Sequence, residues 1–167
     1  GGQHLVMLPE IALTAQGLAR FEAAFGVKPL VWHANITPVR RAKVWWQVVR
    51  GEQCVVVGAR SALFLPWQKL GSVIVDEEHD PSYKQNEGFR YHGRDMAVAL
   101  AQHHKTPVVL ASATPGLESF HHAASGKYTP LKLSQRYGKQ TLPQVNLIDL
   151  KQEKLAPDTL LAPTAQK

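Results

Sequence analysis

Residues 71–80 read GSVIVDEEHD, and this stretch decides the fold. Residues 73–75 are a β-branched apolar run, which is typical of a strand buried on both faces of a parallel sheet. The next five residues are four acids and a histidine. Burying them would be so costly that the chain must reach the surface there. The strand therefore ends at the carboxyl edge of a sheet, where ligands bind in open α/β folds.

The acidic residues 76–80 form a pattern with its own chemistry. A carboxylate at the end of such a strand can hold Mg²⁺ directly or through water, and a second can polarise an attacking water. With the hydrophobic strand before it, the pattern is a Walker B box of the DEEH kind. An acidic surface turn is the alternative, and the apolar strand makes it the less favoured one.

Length and composition favour one globular domain. The chain has 167 residues, 44% of them hydrophobic, which is enough to bury a core. No apolar run approaches the ~18 residues of a membrane span, and the chain does not open with a signal peptide. The single cysteine, Cys54, excludes an internal disulfide and fits a buried thiol in a reducing, cytoplasmic setting.

Positive charge is concentrated in the first half of the chain. Residues 1–75 contain eight Lys and Arg against three acids, whereas residues 76–167 contain eleven against ten. The formal net charge is +6. An excess of cations attracts polyanions, so nucleic acid is a plausible partner.

Strands and helices are predicted to alternate along the chain. Strands are predicted over residues 3–8, 29–33, 53–58, 73–75, 106–111, 128–133 and 145–150, and helices over 14–25, 37–51, 95–104 and 114–126. This alternation indicates βαβ units around a parallel sheet.

The helix predicted over residues 37–51 has a clear start and an apolar face. Thr37 is a good N-cap, and Pro38 follows it at the first helical position. The face predicted to pack on the core consists of Val39, Ala42, Trp46 and Val49. Trp45 and Trp46 are accordingly assigned to the core and its rim.

A second strand ends in small hydroxylated residues. Residues 108–114 read VVLASAT, about thirty positions after the acidic residues. Parallel strands present their carboxyl ends together, so Ser112 and Thr114 should lie at the same sheet edge as Asp76. Hydroxyls at that edge can hydrogen-bond His79 or Glu78 and so transmit the state of a bound phosphate.

Five segments together resemble the motifs of a superfamily 2 DNA helicase, most nearly the primosomal replication-restart (PriA-type) family. They are LPEIALT (8–14), GARSALFLP (58–66), DEEHDPSYKQ (76–85), RYHGRD (90–95) and SATPGLES (112–119). The resemblance implies a RecA-like parallel sheet flanked by helices. It also implies an ATP- and Mg²⁺-dependent 3′-to-5′ helicase that reloads the replication machinery at stalled forks. Its partners would be single-stranded and forked DNA and other primosome and replication-restart proteins.

The same resemblance implies roles for individual residues. Asp76 would hold Mg²⁺ and Glu77 would position and activate water, while His79 would sense the γ-phosphate. The implied catalytic group is Asp76, Glu77, Glu78, His79, Ser112 and Thr114. Backbone around Pro9 to Thr14, together with Arg60 and Ser61, would contact DNA phosphates, which positions a strand without reading its sequence.

Residues 81–92 (PSYKQNEGFRYH) form a segment that we call the aromatic loop. Its three aromatics lie in a polar stretch beside two cations, and they are not on a periodic apolar face: Tyr83, Phe89 and Tyr91 alternate with Lys84 and Arg90. Such a mixture fits base stacking with phosphate neutralisation, worth ~1–3 kcal/mol per stacked base. It resembles the loop that couples DNA binding to ATP hydrolysis in this family. The alternative is a loop packed on its own domain through Phe89.

Several expected features of a complete helicase do not occur in this sequence. There is no GxxxxGK[ST] loop to hold the phosphates, so we expect residues 1–150 to be part of a first motor lobe without activity of its own. Residues 151–167 read as a linker or the truncated start of a second lobe. The histidines lack ligand spacing, and no zinc is expected.

Three hypotheses about function remain open at this point. The first is a helicase fragment, and the second is a non-catalytic DNA-binding module derived from such a helicase. The third is an unrelated hydrolase that uses Asp76 and Glu77 as an acid–base pair. Adjacent strand residues face opposite ways, which makes that geometry poor. Without its phosphate-loop neighbour, the strand over 106–111 is expected to present an unpaired apolar edge.

Overall fold

A sheet of five parallel strands is the centre of the fold. The computed structural model describes residues 2–9, 14–134 and 147–149. In chain order the elements are β1 (Gln3–Met7), α1 (Ala15–Phe25), β2 (Leu30–Trp32), α2 (Pro38–Val49), β3 (Cys54–Gly58), β4 (Leu70–Val75), β5 (Lys84–Gln85), β6 (Tyr91–His92), α3 (Gly93–His103), β7 (Val108–Leu110) and α4 (Leu117–Ala124). The sheet order is β2-β3-β1-β4-β7, and every neighbouring pair is parallel. The predicted parallel α/β sheet is confirmed.

Two short 3-10 helices and a hairpin complete the elements around the sheet. One 3-10 helix spans Arg60–Phe64, after β3, and the other spans Pro81–Tyr83, after the acidic residues. β5 and β6 pair antiparallel and close the aromatic loop on itself.

The core lies on one face of the central strands. Leu5 and Met7 of β1 and Val73 and Val75 of β4 are each 0% exposed. α3 packs against β4, β7 and the first 3-10 helix, and its small residues, such as Ala97, allow a close approach. Each of the four buried side chains of β1 and β4 stabilises the fold by ~1.5–3 kcal/mol relative to exposure.

Threonine hydroxyls cap the first turns of α1 and α2, as was predicted for Thr37, and a glycine ends α1. The Thr14 hydroxyl accepts from the backbone N–H of Gly17, and the Thr37 hydroxyl accepts from that of Arg40. Gly26 ends α1 at a φ of 66°, in the left-handed region that favours glycine.

The prediction of the buried face of α2 is wrong. The buried residues are Val44 and Val48, whereas Val39 is 80% exposed and Trp46 is 56% exposed. The helix carries two apolar stripes, and the compact β-branched pair is the one that fits against the sheet. Trp45 is also exposed, so both tryptophans lie outside the core, with the Arg50 guanidinium 5.8 Å from the Trp46 ring.

Two predictions near the end of the main body also fail. α4 begins at Leu117 because the N–H of Thr114 donates to Ser112 and that of Gly116 donates to Glu78, so neither belongs to a helix. Residues 128–133 are not a strand. The N–H of Tyr128 instead donates to the carbonyl of His122 and closes the end of α4.

The chain divides into two units, residues 1–129 and 130–167. Of the second unit, only residues 130–134 and 147–149 are described, and they form neither helix nor strand. The strand predicted over 145–150 and the linker predicted over 151–167 therefore fall wholly or largely outside the described residues. Among the helices that the structure describes, none is long and apolar enough to cross a membrane.

Candidate active site and DNA-binding loop

The acidic turn, residues 76–80, is fastened to both strands that flank β4. The N–H of Asp76 donates to the carbonyl of Met7 (3.0 Å), and that of Glu78 donates to the carbonyl of Ala111 (3.0 Å). Between them, Glu77 has a φ of 47°, a conformation that residues other than glycine rarely adopt. This backbone leaves the Glu77 side chain 49% exposed and the Glu78 side chain 1% exposed.

Asp76 has the properties of a magnesium ligand. Its carboxylate oxygen Oδ1 accepts from the N–H of Glu77 at 3.1 Å. A carboxylate offers about four acceptor positions, so capacity remains for a hydrated ion. Mg²⁺ commonly binds through one or two carboxylates together with waters and substrate phosphates, and a partly exposed Asp76 fits that chemistry.

His79 joins the acidic turn to the segment after β7. Its Nδ1 lies 2.6 Å from the Ser112 hydroxyl, and its Nε2 lies 3.4 Å from the Thr114 hydroxyl. The same Nδ1 is 3.6 Å from the Glu77 carboxylate. The structure thus brings together four of the predicted site residues across the ends of β4 and β7.

Glu78 does not belong to that exposed group, and its assignment to the catalytic residues needs correction. Its carboxylate points inward and accepts from the N–H of Gly116 (2.7 Å), the hydroxyl of Ser119 (2.9 Å) and the guanidinium of Arg94 (3.3 Å). The left-handed backbone at Glu77 is the physical reason, because it turns the next side chain beneath the surface.

Tyr83 is buried as well, so it does not have the exposed ring that its predicted role in base stacking requires. The ring is 1% exposed, and its hydroxyl donates to the carbonyl of Asp76 at 2.7 Å. Arg60 donates to the carbonyls of Ser82 (2.7 Å) and Lys84 (2.9 Å), so its guanidinium holds the loop backbone. Both residues anchor the first part of the aromatic loop.

The far part of the aromatic loop lies at the surface. Phe89 is 74% exposed, and its ring centroid is 5.9 Å from that of Tyr91. Tyr91 in turn makes an edge contact with Phe64 at 5.2 Å between centroids, and Phe64 is 49% exposed. These three rings form a surface group that we call the aromatic patch. Phe64 was missed by the sequence analysis, although it lies in the same segment as Arg60 and Ser61.

Comparison with known proteins places this geometry in a family. The family model for DEAD/DEAH box helicases matches residues 1–122. This chain belongs to the DEAD/DEAH box helicase family. The match includes the acidic turn of this helicase chain, and the pairing of β4 with β7 places the turn beside the SAT segment.

Relatives of this helicase chain include replication restart proteins PriA from several bacteria. Identity is 42% over 162 residues to the protein of Rickettsia conorii, 46% over 155 to that of Haemophilus influenzae and 44% over 153 to that of Bacillus subtilis. The matches cover 97%, 93% and 92% of this chain, but only 25%, 21% and 19% of those relatives. The solved structure of RecG bound to a three-way DNA junction is also similar, with a TM-score of 0.49, 24% identity and coverage of 75% of this chain and 16% of that one.

The remaining predicted DNA contacts of the helicase chain vary in accessibility. Ser61, Lys84 and Arg90 are exposed. Pro9 is buried, and the Thr14 hydroxyl is already used as the cap of α1. Residues 10–13 lie outside the described part of the chain.

Arg94 is a residue that the sequence analysis did not single out. It is the second residue of α3, directly after the aromatic loop, and its side chain is 9% exposed. Its Nε donates to Asp95 at 2.8 Å, and its Nη1 lies 3.3 Å from Glu78 and 3.6 Å from Glu118. The predicted helix began at residue 95, which left Arg94 outside it; in the structure α3 begins at Gly93, and Arg94 lies in the first turn, where a cation is unfavourable without an acidic partner.

Burial and hydrogen bonding shift the pKa values of several groups in the loop. Burial raises the pKa of the Tyr83 hydroxyl far above its ordinary value, and the nearby Asp76 carboxylate acts in the same direction. Burial also raises the pKa of Tyr91 and lowers that of His92. Hydrogen bonds from Ser82 lower the pKa of Asp80. Across residues 2–9, 14–134 and 147–149, no group of three or more His, Cys, Asp or Glu is arranged to hold a metal ion by itself.

Proposed function

We propose that this chain is part of an ATP-dependent 3′-to-5′ DNA helicase that acts in replication restart. The observation that carries the proposal is the group at the ends of β4 and β7, where His79 lies 2.6 Å from the Ser112 hydroxyl and 3.6 Å from the Glu77 carboxylate. Membership of the helicase family and the 40–46% identity to replication restart proteins support it.

ATP and Mg²⁺ are the proposed cofactors of the complete protein. When bound, Mg²⁺ neutralises charge on the β- and γ-phosphates during phosphoryl transfer. Asp76 is the residue that would hold the ion, and Glu77, exposed beside it, orients the attacking water and accepts its proton. His79 contacts Glu77 and two hydroxyls, so a change at the phosphate reaches Ser112 and Thr114 through one side chain.

Single-stranded and forked DNA are the proposed polymer partners. The aromatic patch offers rings on which bases can stack, and the exposed cations Lys84 and Arg90 lie in the same loop to neutralise phosphates. Tyr83 contributes from inside by connecting this loop to the carbonyl of Asp76. Other primosome and replication-restart proteins are further proposed partners, in the cytoplasm where such a protein meets chromosomal DNA.

The 167 residues by themselves are proposed to be inactive. No GxxxxGK[ST] sequence occurs in them, so the backbone amides and lysine that normally hold the phosphates are not supplied. We expect no ATP hydrolysis above buffer and only weak Mg²⁺–ATP binding. Micromolar affinity of the isolated chain for ATP, measured by calorimetry, would contradict this.

Unwinding assays on an intact protein that contains this segment test the proposal. Duplexes with a 3′ or a 5′ single-stranded tail should distinguish the polarity, with ATP-dependent unwinding expected only from the 3′ tail. Glu77→Gln should abolish hydrolysis and unwinding while DNA affinity is kept. Arg50→Gln, an exposed change at the residue that follows α2, far along the chain from the acidic turn, is the control. Salt-dependent DNA binding by the wild type without any ATPase would instead favour a non-catalytic binding module.

A further inference from the structure

The buried pair of Glu78 and Arg94 has no part in the chemistry described above. Their side chains are 1% and 9% exposed. Removing two charges from water is costly, and such a pair is often no more stabilising than well-packed apolar residues. Stability alone is therefore a weak explanation for this pair directly beneath the acidic turn.

On one side, Glu78 fixes the start of α4. It accepts from the N–H of Gly116, which caps α4, and from Ser119 in the first turn of that helix. These residues directly follow Ser112 and Thr114, the hydroxyls that face His79. The position of the hydroxyl segment is thus set from beneath by the third residue of the acidic turn.

On the other side, Arg94 fixes the end of the aromatic loop. It follows β6 by two residues and binds Glu78 at 3.3 Å. The beginning of the loop is fastened by Tyr83, whose hydroxyl donates to the carbonyl of Asp76. Tyr83, near the start of the loop, therefore contacts Asp76, and Arg94, just after its end, contacts Glu78. The residue between Asp76 and Glu78 is Glu77.

The close packing at this position depends on glycine. A Cβ at Gly116 would lie 3.1 Å from Nη1 of Arg94 and 3.6 Å from Oε1 of Glu78. A Cβ at Gly93, the residue before Arg94, would lie 3.3 Å from the carbonyl oxygen of Tyr83. The aromatic loop, the acidic turn and α4 are therefore packed so closely that a methyl group at either glycine would require the neighbouring atoms to shift.

We infer that Glu78 and Arg94 are positioning residues that couple the aromatic loop to the Glu77 side chain and to the start of α4. Displacement of the loop by a bound strand must act on the acidic turn at residues 76 and 78, on both sides of Glu77. The inference rests on the proposed ATPase and adds the route by which DNA regulates it. Neither side chain touches nucleotide or DNA.

The ratio of DNA-stimulated to basal ATPase in the intact protein tests this coupling. Glu78→Gln keeps the volume, and its one carbonyl oxygen still accepts from the N–H of Gly116, while the amide NH2 at the other position donates to the Ser119 hydroxyl and no longer accepts from Arg94. The ion pair is thereby lost, and Arg94→Gln removes the same pair from the other side. Each is expected to lower the stimulation ratio by ~10-fold, within the usual range of coupling free energies. Arg94→Lys should restore part of the ratio, since lysine keeps the charge but not the fork of donors.

A double mutant separates coupling from general damage. Glu78→Gln combined with Arg94→Gln should lower the ratio no further than Arg94→Gln alone, because the Glu78–Arg94 contact is already absent from that variant, which also loses the contacts of Arg94 with Asp95 and Glu118. Arg50→Gln, the same substitution in an exposed ion pair with Glu52, should leave the ratio as in the wild type. If Arg94→Gln does not fold, the isosteric Glu78→Gln and the Arg94→Lys variant decide the result.

The possible outcomes are distinct. A wild-type protein whose ATPase does not respond to single-stranded DNA overturns the proposed function itself. A responsive wild type with unchanged ratios in Glu78→Gln and Arg94→Lys overturns only the coupling. Equal loss of basal and stimulated rates in the variants, with the ratio preserved, also overturns it, because that is the result of a structural role.

Discussion

The acidic turn and the aromatic loop are adjacent in sequence. Each has one side chain that is buried in the protein and others that are at the surface. In the turn the inner residue is Glu78, held by three hydrogen-bond donors. In the loop it is Tyr83, held by burial of its ring and by one hydrogen bond. Glu78 is anchored by charge and Tyr83 mainly by packing, so the two should respond to different substitutions. Isosteric loss of charge tests the turn, whereas loss of volume tests the loop.

The largest predicted effect is the loss of ATPase activity when Glu77, the exposed glutamate of the turn, is replaced. In an intact protein, Glu77→Gln should lower the ATPase kcat by ~10²–10⁴-fold, the usual contribution of a general base. Binding of ATP and DNA should change little, because the substitution keeps the shape of an exposed side chain. Steady-state kinetics and a DNA-binding titration measure both. Surviving turnover would show that another group activates the water.

The next largest effect is expected on the buried side of the loop. Tyr83→Ala should lower the free energy of unfolding by ~3–5 kcal/mol, as for other aromatic side chains removed from a core. Phe89→Ala, in the same loop, should change it by less than ~0.5 kcal/mol because that ring is at the surface. Urea unfolding of the two variants gives the comparison. Similar losses from both would mean that the loop packs as a whole.

High pH should reduce the contribution of Tyr83 to the free energy of unfolding. The folded-state pKa of Tyr83 is raised, so the unfolded chain loses this proton first, near pH ~10, while the folded chain keeps it. The contribution of Tyr83 to stability is therefore complete below pH ~10 and is lost as the pH rises toward the folded-state pKa. Tyr83→Phe, which has no such proton, should show a flatter decline in unfolding free energy between pH 9 and 11 (approximate limits chosen around the ordinary tyrosine pKa). An equal decline in both proteins would show that other groups control it.

The smallest expected effect is on DNA affinity at the exposed end of the loop. Replacing Phe89 or Tyr91 with Ala should weaken binding of single-stranded DNA by ~1–3 kcal/mol for each base that stacks there. Phe64→Ala should act in the same direction, because that ring contacts Tyr91. Fluorescence anisotropy with a labelled oligonucleotide measures this. Unchanged affinity in all three variants would move the DNA site away from the aromatic patch.

Much of the fold could be predicted because its causes are local. The apolar run before Asp76 and the N-cap at Thr37 act within a few residues, and the structure contains the strand and the cap as predicted. The buried face of α2 could not be predicted in this way, since two apolar stripes competed and packing on the sheet selected Val44 and Val48.

Which side chains of the site are exposed and which are buried could not be predicted from the sequence either. Glu77 and Glu78 are identical in type, but Glu77 has a left-handed backbone and an exposed side chain, whereas the Glu78 carboxylate is held inward by three donors. Tyr83 and Phe89 are both aromatic residues in a polar loop, and they differ in that the Tyr83 ring is buried in the core and its hydroxyl donates to the carbonyl of Asp76. Such differences arise from tertiary contacts rather than from residue type.

The position of β7 at one side of the described sheet sets an order of local opening. Amides of β1 lie between β3 and β4, so their hydrogen exchange requires the centre of the sheet to separate, whereas those of β7 are released when it parts from β4 alone. Ser112 and Thr114 follow the strand that opens early, and Asp76 and Glu77 follow one that opens late. In the isolated chain, amide hydrogen exchange is therefore expected to be faster in the strand that leads to the hydroxyls than in the central strands of the described sheet.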